Sequence, residues 1–161
     1  MKKIKTYLIG SIQDADDPNK AREKVDNRLT EMGFEVLNPC KLEVNQTLSD
    51  TIEGQKNRLT QLKKQGKWEE FDAVMDSIID MDLQCVTQSQ FLVVFWDTQK
   101  KHGGTIEEIL HGIAQSKPIY VICSDPMSTW NDWILRRLRR AKAKFFSNNK
   151  QFLEFMEKEH G

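Results

Sequence analysis

Cysteine is scarce in this chain: Cys40, Cys85 and Cys123 are odd in number, far apart, and form no C-x-x-C pair. That argues against a disulfide framework and a zinc site, and makes a reducing cytoplasm the expected compartment. Net charge is missing too. The 24 Lys+Arg balance 24 Asp+Glu, whereas a dedicated nucleic-acid binder usually carries a basic excess, so no nucleic-acid partner is expected. No apolar run approaches the roughly 20 residues of a membrane span; the densest is Phe91-Leu-Val-Val-Phe-Trp96. Met1-Lys-Lys-Ile-Lys5 opens like a secretory leader, but the Tyr7-Leu-Ile9 run behind it is too short for a leader's apolar centre. Neither G-x-G-x-x-G nor G-x-x-x-x-G-K-[ST] occurs, which argues against a dinucleotide cofactor and a phosphate loop. No two of His102, His111, His160 and the three cysteines stand at ligand spacing. No metal or cofactor is expected.

What is present describes one globular domain over residues 1–161, with 39% hydrophobic and 30% charged residues. Short apolar runs alternate with helical patterns. Ile4 to Ile9 predicts a strand that ends at Gly10; Asp16-Asp17-Pro18-Asn19 opens a helix with Ala21, Val25, Leu29 and Met32 on one face and Gly33 as its stop. Strands follow at Phe34–Leu37, Phe91–Trp96, Pro118–Cys123 and Ala143–Phe146, with helices at Gly104–Ser116, Thr129–Arg140 and Asn148–Glu159. This alternation implies an α/β fold: a doubly wound, flavodoxin-like (Rossmann-like) five-stranded parallel sheet in the order 2-1-3-4-5. Between the second and third strands, residues 41–90 are far longer than a crossover needs. Leu59 and Leu62, then Trp68, Phe71, Met75, Ile78, Asp82 and Val86, mark two helices. Residues 43–79 are accordingly read as a helical hairpin inserted into the crossover, not as a second domain.

In such sheets the ligand crevice opens at the carboxyl ends of the strands where the order reverses, here between the first and third. That selects the loops Gly10–Asp17 and Asp97–Thr105. On the helix before the third strand, Asp82 shares an apolar stripe with Phe71, Met75, Ile78 and Val86, while Asp80 points away. A carboxylate in such a stripe is either bonded to a buried donor or used in function. Gly103-Gly-Thr-Ile-Glu-Glu108 can present amides to an anion or a hydroxyl-rich ligand. It also reads as a capping box, with Thr105 at N-cap and Glu108 three residues on. Periodicity there puts Ile106, Ile109, Leu110 and Ile113 on the buried face and Glu108 away from it, so the pattern does not promote Glu108 over Glu107. Trp130 and Trp133 read as packing anchors. The basic run Arg136-Arg-Leu-Arg-Arg140 with Lys142 and Lys144 reads as a solvated helix face, with an anionic partner as the alternative.

Several blocks then coincide in order and spacing: Tyr7-Leu-Ile-Gly-Ser-Ile12, Gly33-Phe-Glu-Val-Leu-Asn-Pro39, Asp82-Leu-Gln-Cys-Val-Thr-Gln-Ser89, Gly104-Thr-Ile-Glu-Glu-Ile109 and Ser116-Lys-Pro118. Together they resemble the nucleoside 2-deoxyribosyltransferase superfamily, which includes the deoxynucleoside 5′-monophosphate N-glycosidases. The resemblance implies Glu108 as nucleophile, Asp82 as its carboxylate partner and Tyr7 as the hydroxyl that holds the nucleophile. Ser11, with the amides of Gly10 and Gly104, reads as a sugar or phosphate contact, and Ile12, Asp97, Gly103 and Thr105 as further substrate contacts; Trp96 reads either as a wall for the base or as a core residue of its strand. The small-molecule partner would be a nucleoside or nucleotide, no cofactor would be needed, and the chain would form a homodimer or larger homo-oligomer. Two other expectations stand beside the enzyme: a non-catalytic nucleotide-binding or sensing module of the same fold, and an interaction protein using the hairpin and the basic helix.

Overall fold

The computed structural model describes residues 2–11, 18–41, 52–100 and 102–161. Strand β1 (Lys5–Gly10) is followed by helix α1 (Pro18–Glu31) and strand β2 (Glu35–Leu37). Helices α2 (Ile52–Lys64) and α3 (Trp68–Gln88) come next, then β3 (Phe91–Phe95), α4 (Gly103–Ala114), β4 (Ile119–Ile122), α5 (Asp132–Arg140), β5 (Lys144–Phe146) and α6 (Asn149–His160). The strands form one parallel sheet in the order β2-β1-β3-β4-β5. The architecture is the expected doubly wound α/β sheet.

Alternation along the strands divides the core in two. Tyr7 and Ile9 of β1, with Leu92, Val94 and Trp96 at the third strand, face one layer, shared with Cys85 and Val86 of α3, Ile109 of α4 and Ile134 and Leu138 of α5. Leu8, Phe91 and Val93 face the other, against Val25 and Leu29 of α1 and Phe152, Leu153 and Met156 of α6. Period-two strands buried on both faces produce this division. Every polar candidate on α3 and α4 therefore shares a layer with Tyr7.

Local chemistry sets the ends of the elements. Gly33 takes φ +97° after α1, a conformation that only glycine adopts without strain, and turns the chain into β2. The expected helix at Thr129 is instead a single 3-10 turn, Met127–Thr129, and α5 begins after Asn131, whose side-chain oxygen accepts from the amides of Trp133 and Ile134. Asn is the better N-cap because its carbonyl reaches the free amides of the first turn. Asn148 caps α6 in the same way, accepting from Gln151 N.

The described part of the long crossover, residues 52–88, is a helical hairpin, as expected, but its second helix runs to Gln88, past the expected end at 79, and residues 43–51 lie outside the described residues. Helices α2 and α3 pack together and are joined through Gln65, Gly66 and Lys67. At about 1.5 Å per residue, the 21 residues of α3 are roughly twice as long as the five-residue β3 at about 3.3 Å per residue. Since α3 ends just before β3 starts, its first turns extend past the carboxyl ends of the strands. The hairpin thus projects on the side where ligands bind in such folds.

Candidate active site

Tyr7 lies in the middle of β1, level with Leu37 of β2 and Leu92 of β3, and is fully buried. Asp82 is 8% exposed on α3, amid Ile78, Cys85 and Val86. The stripe read from the sequence is the buried face of α3: Ile78, Asp82 and Val86 are buried, Phe71 and Met75 half-buried, and Asp80 exposed. Glu108 is also 8% exposed, one turn into α4, and its Oε1 reaches back to within 3.9 Å of where a Cβ on Gly104 would stand. Its carboxylate therefore leans toward the N-terminal end of α4, the positive end of the helix.

The helices that carry the two acidic residues meet at a close approach below them. A Cβ added to Gly112 would lie 2.3 Å from Leu92 Cδ1 and 3.7 Å from Val86 Cγ1, so α4 presses onto both β3 and α3 at this glycine. Gly112 is one turn after Glu108, and Val86 one turn after Asp82. Both helices run antiparallel to the strands they connect, hence parallel to each other. Asp82 and Glu108 consequently stand at matching heights on neighbouring helices that both pack on β1. Burial of two carboxylates in one layer with a tyrosine is expensive in an inert core and is the kind of arrangement found at reactive centres.

Helix α4 departs from its sequence reading in two ways. First, Thr105 is not the N-cap. Position 102 is, the cap has no side-chain hydrogen bond, and Thr105 is buried inside the first turn. Glu108 is thus not the closing residue of a capping box. Second, the buried face is Thr105, Glu108, Ile109 and Gly112, while Ile106 is 38% exposed and Leu110 and Ile113 are half-buried. Glu107 is exposed. Hydropathy centred the face on the isoleucines; packing against α3 rotates it toward the small residue, Gly112, that permits close contact.

The remaining candidates surround this centre unevenly. Gly10 ends β1 buried, Ser11 is half-exposed, and Ile12 lies outside the described residues, as do Asp14, Asp16 and Asp17. Gly103 and Gly104 are exposed at the start of α4. Trp96 is buried in the core layer, stacked on His102 with centroids 4.0 Å apart and 15° between planes. Asp97 is half-buried; its side chain accepts from Gln99 N and its carbonyl from His102 Nε2. Gln90 is structural, its Oε1 accepting from Lys5 N.

Two residues that sequence reasoning passed over matter here. Arg22 is buried in α1 and its Nη2 donates to the Gly10 carbonyl at 2.8 Å, fixing the end of β1. Its signal was the one that flagged Asp82, a charge on the stripe with Val25 and Leu29. His102 braces Trp96 and holds the Asp97 carbonyl.

The β3–α4 loop is also tied to the β4 end. Asp125 accepts from both the hydroxyl and the amide of Thr98, at 2.7 and 3.1 Å. The hydroxyl bond, then the amide bond, holds the Asp125 carboxyl below its usual range. Burial pushes the neighbouring Cys123 thiol up. The depressed Asp125 contributes stability above the ordinary carboxylate range that is lost as pH falls through its lowered value. Thr98→Val is expected to return the Asp125 titration toward the ordinary carboxylate value, as followed by carboxyl carbon NMR; an unmoved titration would break this tie.

A cavity of about 260 Å³ lies at the ends of β4 and β5, lined by Cys123, Ser124, Asp125, Met127, Trp130 and Phe145 among others. None of Tyr7, Asp82 and Glu108 lines it. Among the described residues no three His, Cys, Asp or Glu side chains gather to hold a metal ion, and no helix is long and apolar enough to cross a membrane.

No protein-family model matches the chain, and no curated protein is significantly similar to it.

Proposed function

We propose that the protein cleaves or transfers the N-glycosidic bond of nucleosides, deoxynucleosides or their monophosphates through a glycosyl ester on Glu108. The observation that carries this reading is the pair of buried carboxylates, Asp82 and Glu108, at matching heights on adjacent helices in the layer of Tyr7. The motif resemblance, which assigns roles to the same three residues, supports it.

The chemistry follows from the groups. A C1′–N bond breaks through an oxocarbenium-like state, whose positive charge a nearby carboxylate stabilises and then captures. Glu108 Oε attacks C1′ as the bond to the base breaks, and the bonding electron pair leaves with the base, which takes up a proton. Asp82 assists that proton movement or holds the sugar hydroxyl, and Tyr7 fixes the carboxylate rotamer. Attack on the ester by water releases the free sugar or sugar phosphate. Attack by a second base regenerates a nucleoside. Exclusion of water by the projecting hairpin would favour transfer, so the α2–α3 unit is the element that sets the balance.

The test is a mass-spectrometric screen of nucleosides and monophosphates, with and without an added acceptor base. Free base released from at least one substrate is the expected result. No turnover across the common substrates, with a nucleotide still raising the melting temperature, would replace this reading by a non-catalytic nucleotide-binding module.

A further inference from the structure

Six of the chain's 24 basic residues fall within residues 136–144, a stretch without an acidic residue. Around helix α5, Trp133, Arg136, Arg137 and Arg140 follow the i, i+3, i+4, i+7 spacing of one stripe. The opposite face, Ile134 and Leu138, is buried against the sheet. Trp133, Arg136 and Arg140 are exposed and Arg137 is half-buried, so the stripe runs along the outer surface of the molecule. Trp133 is 74% exposed, which overturns its reading as a packing anchor; Trp130 is the buried one, in edge contact with Phe145. Among the described residues Trp133 makes no ring contact, and Arg136, Arg137, Arg139 and Arg140 make no ion pair. Against the single carboxylate of Asp132, four guanidinium groups on nine residues repel one another, and a large bare indole beside them leaves apolar surface in water. An anionic partner with flat faces relieves both.

We propose that this face of α5 binds single-stranded nucleic acid, with the arginines on successive phosphates and Trp133 stacked on a base. Arginine's planar fork suits phosphate oxygens better than lysine's point charge, and every base offers a face to an exposed indole. A duplex hides those faces. An anionic membrane fits less well: the apolar side of α5 is committed to the core, so nine residues would offer one aromatic ring and no apolar stripe for insertion. The zero net charge concealed this surface, because from Trp68 to Gln99 the chain carries acidic residues and no Lys or Arg. The sum cancels while the distribution is segregated.

The experiment is fluorescence anisotropy of the full chain with a labelled 12-nucleotide oligo-dU or oligo-dT across a salt series. With about four phosphates engaged at roughly 0.7 per phosphate, log affinity is expected to fall against log salt with a slope near −3. Trp133→Ala is expected to weaken binding at least about fivefold while leaving the slope unchanged. Arg136→Glu with Arg140→Glu is expected to weaken it further and to flatten the slope by about 1.4. Should the double variant fold poorly, Trp133→Ala and the wild-type slope carry the test. Base release by the variants stays at the wild-type level, so this proposal and the glycosidic one fail separately. Absence of oligonucleotide binding at low salt overturns the proposal, as does binding indifferent to all three substitutions. Binding only to phosphatidylserine vesicles would assign the face to a membrane. A salt-sensitive dimer abolished by the variants, without oligonucleotide binding, would assign it to the acidic α3 of a second copy. Either outcome overturns the nucleic-acid assignment.

Discussion

Glu108→Gln is expected to lower base release by at least about a thousandfold, with the fold intact. Glutamine matches glutamate in shape, so the buried site stays filled, but its amide does not capture an oxocarbenium carbon. Glu107→Gln is the internal control. It changes the same chemical group one residue away, on the exposed side of α4, and is expected to leave turnover unchanged. Intact-mass measurement on wild-type protein quenched during turnover supplies a second readout, a sugar-sized increment on the peptide carrying Glu108. Equal loss from both variants, or from neither, would remove Glu108 from the reaction. Asp82→Asn is expected to slow release less severely, because a positioned proton carrier or sugar ligand contributes about a hundredfold to ten-thousandfold and does not form the ester itself.

Gly112→Ala is expected to destabilise the protein by about 1–2 kcal/mol and to reduce turnover. Two effects oppose each other. Alanine favours a helix interior by up to about 1 kcal/mol over glycine. Against that, the new methyl would stand 2.3 Å from Leu92 Cδ1, on a side chain with no exposed surface into which to move. Overpacking of that kind typically costs about 1–3 kcal/mol and wins. For a domain of this size each kcal/mol lowers the melting temperature by roughly 2–4 °C. Activity suffers as well, because Gly112 sits one turn from Glu108 at the contact with Val86 of α3. Forcing the helices apart there moves the two carboxylates relative to each other. Leu92→Ala in the same chain clears the offending atom, so the pair should couple favourably by about 1 kcal/mol or more in a double-mutant cycle. Additive losses would mean that α4 does not press onto β3 at Gly112.

Much of this architecture is legible in the sequence because its signals are local. Apolar runs closed by Gly10 and Pro39, with a helical pattern stopped by Gly33 between them, lead to the strand order and so to the expected β1/β3 crevice. The Asp82 stripe was equally readable: Ile78, Asp82 and Val86 advance one turn at a time, and a single charge stands out among apolar neighbours. Arg22 carries the same kind of signal on α1.

Other features had no local signature. A helical repeat states that a face exists, while its angular centre depends on what packs beside it. On α4 the isoleucines suggested one centre, but α3 and β3 crowd against Gly112 and turn Glu108 inward while Ile106 meets solvent. The choice between Glu107 and Glu108 is thus a product of helix-on-helix contact. Trp133 follows the same logic with the opposite outcome: the buried side of α5 is already filled by Ile134 and Leu138, so the second tryptophan is left outside. Residue order along the chain determined the elements, their sequence and the end of the sheet at which a ligand would lie. Which acidic side chain is enclosed there, and which aromatic ring faces water, was decided only by tertiary packing, because burial belongs to the neighbours a residue meets across the fold and not to its own hydropathy.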